Sequence, residues 1–348
     1  MNEVSQTATA QHEVDEVVAS AGQQDLWLAE QLAKGSAQLY SIPVCYELSG
    51  DIDQALLQQA IELTLAGREA FRTCFIETDQ GLFQHIYPKV EPNITWLDLQ
   101  PECQELNPQA ALELALAHCQ QSFETHFDLG KPGLIRFLLI KLAGQRTLLH
   151  FNLHHLIGDN DSIGIILDDL AYYYQALLNG HIEVPPRVKE ALEYGDFADW
   201  QHQMLDEGHF EVDKQFWLDQ LTGVDGKLAL HIGEPSVTND ESGDVLKHRI
   251  EGLLVEQINQ FAVAQGISLA VAYFTAFAAL LHRITDRQTI VFGVPSSLRG
   301  DEQLDNTVGY FINVLPVKVQ FDSDSRFADI VRQLSEQLYA TMEHKQYP

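Results

Sequence analysis

The hydrophobic positions along the chain predict a mixture of helices and strands. Apolar residues three and four apart predict helices at 23–33, 53–65, 108–127, 163–178, 194–220, 253–265, 268–283 and 325–343. Short apolar runs bounded by Gly, Pro or polar residues predict strands at 42–48, 71–77, 82–87, 134–142, 146–153, 245–250, 289–295 and 313–319. The runs 71–77 with 82–87, and 134–142 with 146–153, are close enough to form hairpins. This order of elements indicates an α+β fold.

Two lobes are predicted from the break in this pattern at 180–186, which ends in Pro185-Pro186. We expect an N-terminal lobe over 19–180 and a C-terminal lobe over 187–348, because 348 residues suffice for two packed cores. Residues 1–18 are polar and acidic and are expected to be a loose tail. A polar loop is expected at 233–243.

Candidate chemistry lies at the turn between strand 146–153 and helix 163–178. His154 and His155 stand there side by side, and Asp159 follows. Successive residues of an extended segment face opposite sides, so we expect the two histidines to have different roles. Asp161 or Ser162 is the expected N-cap of the helix, and Asp159 is expected to pin the loop through an arginine. The helix N-terminus would stabilise negative charge developing nearby.

Other readings of this turn remain open on spacing alone. Two neighbouring histidines before a helix also occur as ordinary core or surface residues. A zinc site is disfavoured, because a helical ligand pair needs i, i+4 spacing, whereas the two histidines are adjacent, and no third ligand is obvious. The four cysteines also form no C-x-x-C pair.

The net charge of −29 excludes nucleic acid and anionic membranes as favoured partners, because phosphate binding requires clustered Lys and Arg. The longest apolar run, 267–281, is too short and interrupted for a membrane span, and no basic-then-apolar signal segment opens the chain. The cysteines are expected to be free thiols of a cytoplasmic protein. No P-loop or dinucleotide fingerprint is present, so no bound nucleotide is expected.

The turn at 154–160 (HHLIGDN) resembles the H-H-x-x-x-D-G motif of nonribosomal peptide synthetase condensation domains. Other segments follow in that family's order. Residues 20–27 (SAGQQDLW) resemble S-x-A-Q-x-R-L-W, 68–75 (REAFRTCF) resemble R-H-E-x-L-R-T-x-F with one residue missing, and 127–136 (FDLGKPGLIR) resemble F-D-L…G-P-L-x-R. Residues 194–200 (YGDFADW) match Y-x-D-F-A-x-W, 308–313 (VGYFIN) match V-G-x-F-V-N, and 344–348 (HKQYP) match the start of H-x-x-Y-P. Each is weak alone, whereas the ordered series is specific.

The resemblance implies two chloramphenicol-acetyltransferase-like lobes that form a V around a central tunnel, with the histidine turn at their junction. The loop 296–307 lies where a crossover covering the tunnel is expected. A second crossover would follow the tyrosine-proline motif at which this sequence stops. We therefore expect the C-terminal lobe to be incomplete and the domain truncated.

The resemblance also implies amide formation between an upstream acyl or peptidyl thioester and the amine of a downstream carrier-bound aminoacyl thioester. The expected partners are upstream and downstream carrier protein domains and an adenylation domain. We expect no metal and no cofactor bound by the domain itself, since phosphopantetheine of the carrier proteins holds the substrates.

Matching the motifs residue by residue assigns expected roles. His155 is expected to act as the base or amine-positioning group, whereas His154 and Asp159 complete the motif in structural roles. Arg72 is the first candidate for the arginine that pairs with Asp159, and Arg299 is the second.

Asn313 matches the family's asparagine, which implies contact with a substrate carbonyl. Asn160 stands where the motif has glycine. Asn tolerates a left-handed backbone, so the turn is expected to survive, but the side chain would narrow the path of the thioester. Asp25 and Gly22 also depart from the opening motif.

Two further functions remain open: a free-standing acyltransferase of the same superfamily, and a catalytically silent module that binds carrier proteins. An epimerising relative also keeps both histidines. The heterocyclising branch is disfavoured, because it replaces them with acids.

Overall fold

The computed structural model describes residues 14–33, 39–224, 228, 230 and 246–348. The strands in chain order are β1 (Asp15–Val18), β2 (Ser41–Ser49), β3 (Thr73–Thr78), β4 (Gly81–Ile86), β5 (Asn93–Asp98), β6 (Ile135–Leu142), β7 (Arg146–His154), β8 (Thr289–Ser297) and β9 (Ile312–Gln320). The helices are α1 (Ala21–Leu32), α2 (Gln54–Ala66), α3 (Pro108–Phe123), α4 (Asn160–Leu178), α5 (Pro186–Lys189), α6 (Tyr194–Asp206), α7 (Glu211–Leu221), α8 (Leu253–Gln265), α9 (Leu269–Thr285) and α10 (Phe327–Glu343).

The chain forms two compact units. The first contains Met1–Gln203 and Arg299–Phe311, and the second contains Met204–Leu298 and Ile312–Pro348. The predicted boundary at 180–186 therefore differs from the observed division. Residues after Pro186 stay with the first unit because α6 packs there, where Tyr194 and Phe197 are buried against Phe311.

The first unit is built on a four-stranded sheet in the order β2-β7-β6-β5, in which β5 runs parallel to β6 and the other pairs are antiparallel. Successive side chains of a strand point to opposite faces of the sheet, so each face carries its own apolar residues. Phe137 and Phe151 join the core formed with α2 and α4, whereas Leu138 and Leu148 pack with α3. Helices therefore cover both faces, and β7 is buried in the middle. A smaller sheet has the order β1-β4-β3.

The second unit has an antiparallel pair, β8 and β9, packed against α9 and α10. Its apolar core is formed by residues from both strands and both helices, among them Ala278, Ile290, Val319 and Leu334. Within the described ranges, no single helix has the length and hydropathy required to cross a membrane. One bent pair, α8 with α9, meets the length and composition test jointly with an angle of 105° between the helices.

Several predicted elements are corrected by the structure. Residues 15–18, expected to be part of a loose tail, form β1 and pair with β4. The expected helix 194–220 is two helices, because the chain turns at Gly208 with φ of 75°. The expected helix 108–127 ends at Phe123.

Residues 246–250 form no strand, and β5 was not predicted. The expected loop at 233–243, Val245 and residues 1–13 of the expected tail lie outside the described residues.

Candidate active site

The site begins where β7 passes into α4. β7 ends at His154, His155–Ile157 form a 3₁₀ turn, and α4 starts at Asn160. A Cβ atom at Gly158 would lie 2.8 Å from Cδ2 of Leu153, so any other residue here would force the buried Leu153 side chain to shift. The sequence therefore folds here into a tight turn that fixes both histidines within a few residues of a helix N-terminus.

His154 is held on both ring nitrogens. The Leu156 N–H donates to its Nδ1 at 3.2 Å, so Nδ1 carries no proton in this arrangement. Its Nε2 lies 2.7 Å from Oε2 of Glu30 and therefore donates to that carboxylate. The side chain is 1% exposed, and Phe127 packs edge-on against the ring. His154 is thus buried and hydrogen-bonded on both sides, as a structural residue requires.

His155 has a different environment. Its Nδ1 lies 2.9 Å from the Gly158 carbonyl oxygen, which can only accept, so Nδ1 carries the proton. The neutral ring consequently has its lone pair on Nε2. The side chain is half-buried, and burial is the main cause that lowers the pKa of His155 below its ordinary value. The Tyr310 ring contacts it edge-on at 5.4 Å between centroids. The arrangement provides a rigidly held neutral imidazole whose Nε2 can accept a proton.

Asp159 is fully buried, and its carboxylate is saturated with donors. It caps α4 by accepting from the Ser162 N–H at 2.9 Å and the Ser162 hydroxyl at 2.8 Å. It also accepts from the Phe311 N–H at 3.2 Å and from Arg299 at 2.5 and 3.0 Å. The predicted N-cap at Asp161 or Ser162 is wrong by two or three residues. The capping residue is Asp159, because its carboxylate reaches the N–H of the third helical residue.

Ser162 extends this network within the first unit. Its hydroxyl accepts from the Gly309 N–H at 3.2 Å, and Arg299 donates to the Thr307 carbonyl at 3.0 Å. The guanidinium of Arg299 also lies over the Phe311 ring, 4.2 Å from its centroid. The start of α4 is therefore tied to segment Arg299–Phe311 by hydrogen bonds to both main chain and side chains.

Arg72, the first candidate partner of Asp159, does not form this pair. It lies at the end of a 3₁₀ turn before β3, and its Nη1 donates to the carbonyl of Tyr87, the residue that follows β4. The neighbouring Arg68 binds Asp169 at 2.8 Å in a buried pair. Arg299, the second candidate, binds Asp159. The sequence did not predict which arginine pairs with Asp159, because both are far from it in the chain and only the folded structure brings Arg299 close.

Asn313, the expected contact to a substrate carbonyl, is bound to the main chain of its own unit. It lies in the second unit, and its side-chain amide donates to the Lys345 carbonyl at 2.9 Å and the Tyr347 carbonyl at 2.8 Å. Both amide hydrogens are therefore used in holding the last residues of the chain against β9. A substrate contact through that nitrogen would have to break one of these bonds.

Asn160 is the first residue of α4, and its side chain is exposed. It is not among the residues with positive φ, so the left-handed backbone invoked for it is not adopted. The substitution of Asn for the motif glycine is thus accommodated in ordinary helical geometry.

Three site residues were missed. Glu30 lies in α1 and gave no local signal. Tyr310 lies in the segment matched to V-G-x-F-V-N. It occupies the x position, for which the motif specifies no residue, so the match gave it no role. Tyr194, in the segment matched to Y-x-D-F-A-x-W, has a buried hydroxyl that donates to the Tyr310 carbonyl at 2.6 Å and lies 2.7 Å from the Ser20 hydroxyl. These contacts support the Tyr310 backbone beside His155.

Comparisons with known proteins show the family to which the chain is similar. A family model described as Condensation domain matches residues 13–348. A linear gramicidin synthase of Brevibacillus parabrevis is 27% identical over 342 residues, which cover 98% of this chain and 6% of that protein. Phosphinothricin tripeptide synthetase PhsC of Streptomyces viridochromogenes is 28% identical over 332 residues, 94% of this chain and 30% of that protein. The chain thus spans a small part of the length of these relatives.

Solved structures have the same fold. The first condensation domain of the calcium-dependent antibiotic synthetase, in complex with a substrate analogue, matches with a TM-score of 0.76 and 23% identity, over 96% of this chain and 76% of that one. The X-domain from teicoplanin biosynthesis matches with a TM-score of 0.79 and 23% identity, over 96% of this chain and 72% of that one.

Proposed function

This chain belongs to the condensation-domain family, and on that premise we propose that it forms an amide bond between two substrates carried as thioesters. The donor is an acyl or peptidyl thioester on an upstream carrier protein. The acceptor is the amine of an aminoacyl thioester on a downstream carrier protein. Condensation domains are amide-bond-forming acyltransferase domains of peptide synthetases, and the relatives named above are enzymes of that kind.

The reaction requires no covalent bond between the substrate and the protein. The amine nitrogen attacks the donor carbonyl, the new C–N bond forms, and the C–S bond to the donor phosphopantetheine breaks. The nitrogen loses a proton, and the departing sulfur gains one. Because a thioester is already activated, the site has to align the two reactants, accept the proton and stabilise the oxyanion.

We assign proton acceptance or amine positioning to His155. The observation that carries this assignment is its tautomer, since the bond from Nδ1 to the Gly158 carbonyl leaves the lone pair on Nε2. Burial lowers the pKa of this ring, so the imidazole is neutral at neutral pH. A neutral base is what an attacking amine requires.

His154 and Asp159 act as positioning residues in this proposal. His154 is fixed between the Leu156 N–H and Glu30. The Asp159 carboxylate is occupied by donors from Ser162, Arg299 and Phe311 and takes no direct part in proton transfer. Together they hold the 3₁₀ turn that presents His155.

The proposal includes the partners and the substrate carriers. Carrier domains supply both thioesters on phosphopantetheine, and an adenylation domain loads the acceptor. In this proposal phosphopantetheine belongs to the carrier proteins and not to the domain.

An amide-formation assay with donor-loaded and acceptor-loaded carrier proteins tests this function. The protein with His155→Ala should lose at least about 100-fold in rate, the lower range for removing a positioned acid-base group. His181→Ala, at an exposed histidine of the same unit, is the matched control and should retain the parental rate. A near-parental rate for His155→Ala would disprove the assigned role.

The same assay separates the alternatives. Product from a soluble amine or alcohol, but none from an acceptor-loaded carrier, would identify a free-standing acyltransferase. Binding of loaded carriers without turnover by the parental protein would identify a silent binding module. Inversion of the acceptor's α-carbon without amide formation would identify an epimerising relative.

A further inference from the structure

A cluster of two thiols and an imidazole lies on the α3 face of the four-stranded sheet. Cys45 of β2 and His150 of β7 are direct cross-strand partners. Cys119 of α3 packs on the same face of that sheet. The sulfur atoms of the two cysteines and a ring nitrogen of His150 all lie within 4.8 Å of one another. Three separate elements therefore bring three soft or borderline ligand atoms to one point.

His150 is the most informative member of the cluster. Its Nδ1 lies 2.9 Å from the Val44 carbonyl oxygen, so Nδ1 carries the proton and Nε2 has the lone pair. The residue is 2% exposed, and Nε2 is buried with no hydrogen-bond partner in the described structure. A buried acceptor without a donor destabilises the folded state, so a bound cation at this nitrogen would stabilise the fold. Metal-ligating histidines commonly donate their other N–H to a backbone carbonyl in this way.

The two thiols differ in their access to solvent. Thiolate is the form in which cysteine binds metals. Cys45 is exposed, whereas Cys119 and His150 are buried, so an ion can enter from the solvent side of Cys45. Because Cys45 is exposed, solvent can supply water as a fourth ligand.

We propose that Cys45, Cys119 and His150 bind one zinc ion, with water in the fourth position. Zinc takes Cys and His ligands in tetrahedral geometry, with Zn–S distances of about 2.3 Å and Zn–N distances of about 2.0–2.1 Å. Ligand atoms of such a site are about 3.5–3.8 Å apart, so small side-chain rotations suffice from the present spacing. The ion would join β2, β7 and α3, and would not participate in amide formation.

The sequence disfavoured a zinc site because no local ligand pair was present. That reasoning holds for sites with ligands close together in the chain. The reasoning does not apply to this cluster, because its ligands are far apart in the chain. Cys45 and Cys119 are 74 positions apart, and Cys119 and His150 are 31 apart. The β2–β7 register and the packing of α3 bring them together.

Metal titration of the full chain, reduced and stripped of metal, tests the proposal. Zinc alone is added in competition with a chromogenic chelator, and cobalt(II) alone is added for its absorption spectrum. We expect one zinc per chain, a thiolate-to-cobalt charge-transfer band and a rise in the unfolding temperature with zinc. Cys119→Ser and His150→Asn should each weaken zinc binding by at least about 100-fold, beyond the usual effect of losing an outer-shell contact.

The variants are chosen to keep the fold. Asparagine at position 150 retains a donor for the Val44 carbonyl but has no Nε2, and circular dichroism verifies folding. The matched control is Cys103→Ser, a buried cysteine of the same apolar cluster that is not part of the ligand set. It should bind zinc like the parent.

Three results would overturn the proposal. The first is parental zinc affinity in folded Cys119→Ser or His150→Asn. The second is a cobalt complex without the thiolate band. The third is no stoichiometric binding by the folded parent with both thiols reduced. Because none of these readouts involves amide formation, the outcome is independent of the proposed enzymatic function.

Discussion

Asp159 and Arg299 form a buried ion pair, although 140 positions separate them. The guanidinium reaches the two carboxylate oxygens at 2.5 and 3.0 Å, and the side chains are 1% and 6% exposed. The pair connects the first turn of α4 to the segment Arg299–Phe311. It therefore fixes the end of the turn whose Gly158 carbonyl orients His155.

Arg299→Ala should be strongly destabilising, because it leaves the Asp159 carboxylate buried without its counter-charge. Removing one partner of a buried pair costs about 3–5 kcal/mol. Chemical denaturation followed by circular dichroism measures the loss. Arg299→Lys should recover only part of it, since an ammonium cannot reproduce the two-pronged contact.

The exposed pair of Arg146 and Glu47 is the matched control. Its contacts are as short, 2.7 and 2.8 Å, but its side chains are 22% and 36% exposed. Arg146→Ala should cost no more than about 1 kcal/mol. Equal losses for Arg299→Ala and Arg146→Ala would mean that burial of the Asp159 pair carries no special weight.

The sequence predicted those parts of the fold that depend on local pattern. The hairpins of β3 with β4 and of β6 with β7 are confirmed, because alternation and turn residues define them within a few positions. The ordered motifs predicted the family, and the match over residues 13–348 confirms it. The mixed helix and sheet fold is also confirmed by the structural neighbours. The V, the tunnel and the truncation remain predictions.

Features that depend on distant contacts were not predictable. The choice of Arg299 over Arg72 follows from where segment Arg299–Phe311 lies in the first unit, which no spacing rule encodes. β1 has only four residues, two acidic and two valines, which is too short a pattern to predict a strand. These residues are extended because they pair with the edge of β4. The zinc ligands proposed above lie on three elements for the same reason.

The rate of amide formation should fall at acid pH with an apparent pKa below 6.5. His155 must be neutral to accept a proton, and burial lowers the pKa of its ring from 6.5. Its neutral form therefore persists as the pH falls below 6.5 and is lost only below the depressed value. A pH profile of single-turnover product formation with pre-loaded carriers measures this. An apparent pKa above 6.5 would contradict the assignment of the base to a buried imidazole.

Gly309→Ala should destabilise the first unit through overpacking. A Cβ atom at Gly309 would lie 1.9 Å from Cδ2 of Tyr194, whose hydroxyl is hydrogen-bonded to the Tyr310 carbonyl. The expected cost is about 1–3 kcal/mol or more, and the shift of Tyr310 should also slow amide formation. Thermal unfolding measures the stability loss.

Gly164→Ala is the paired control for that substitution. Gly164 lies in α4, where a Cβ atom would meet nothing within 4 Å. Alanine should stabilise this exposed helical position by up to about 1 kcal/mol. If both alanines changed stability in the same direction, the close contact at Tyr194 would not explain the effect at Gly309.

Asn160→Gly should leave both the turn and the reaction nearly unchanged. The motif glycine is replaced here by asparagine, but Asn160 is helical and exposed, so its backbone does not need glycine's freedom. Glycine in the first turn should cost no more than about 1 kcal/mol, chiefly through the entropy of the unfolded chain. Denaturation and the amide-formation assay on the same sample measure both quantities. A several-fold faster reaction in the glycine variant would instead indicate that the asparagine side chain obstructs the incoming thioester, because the backbone geometry alone gives no reason for a gain.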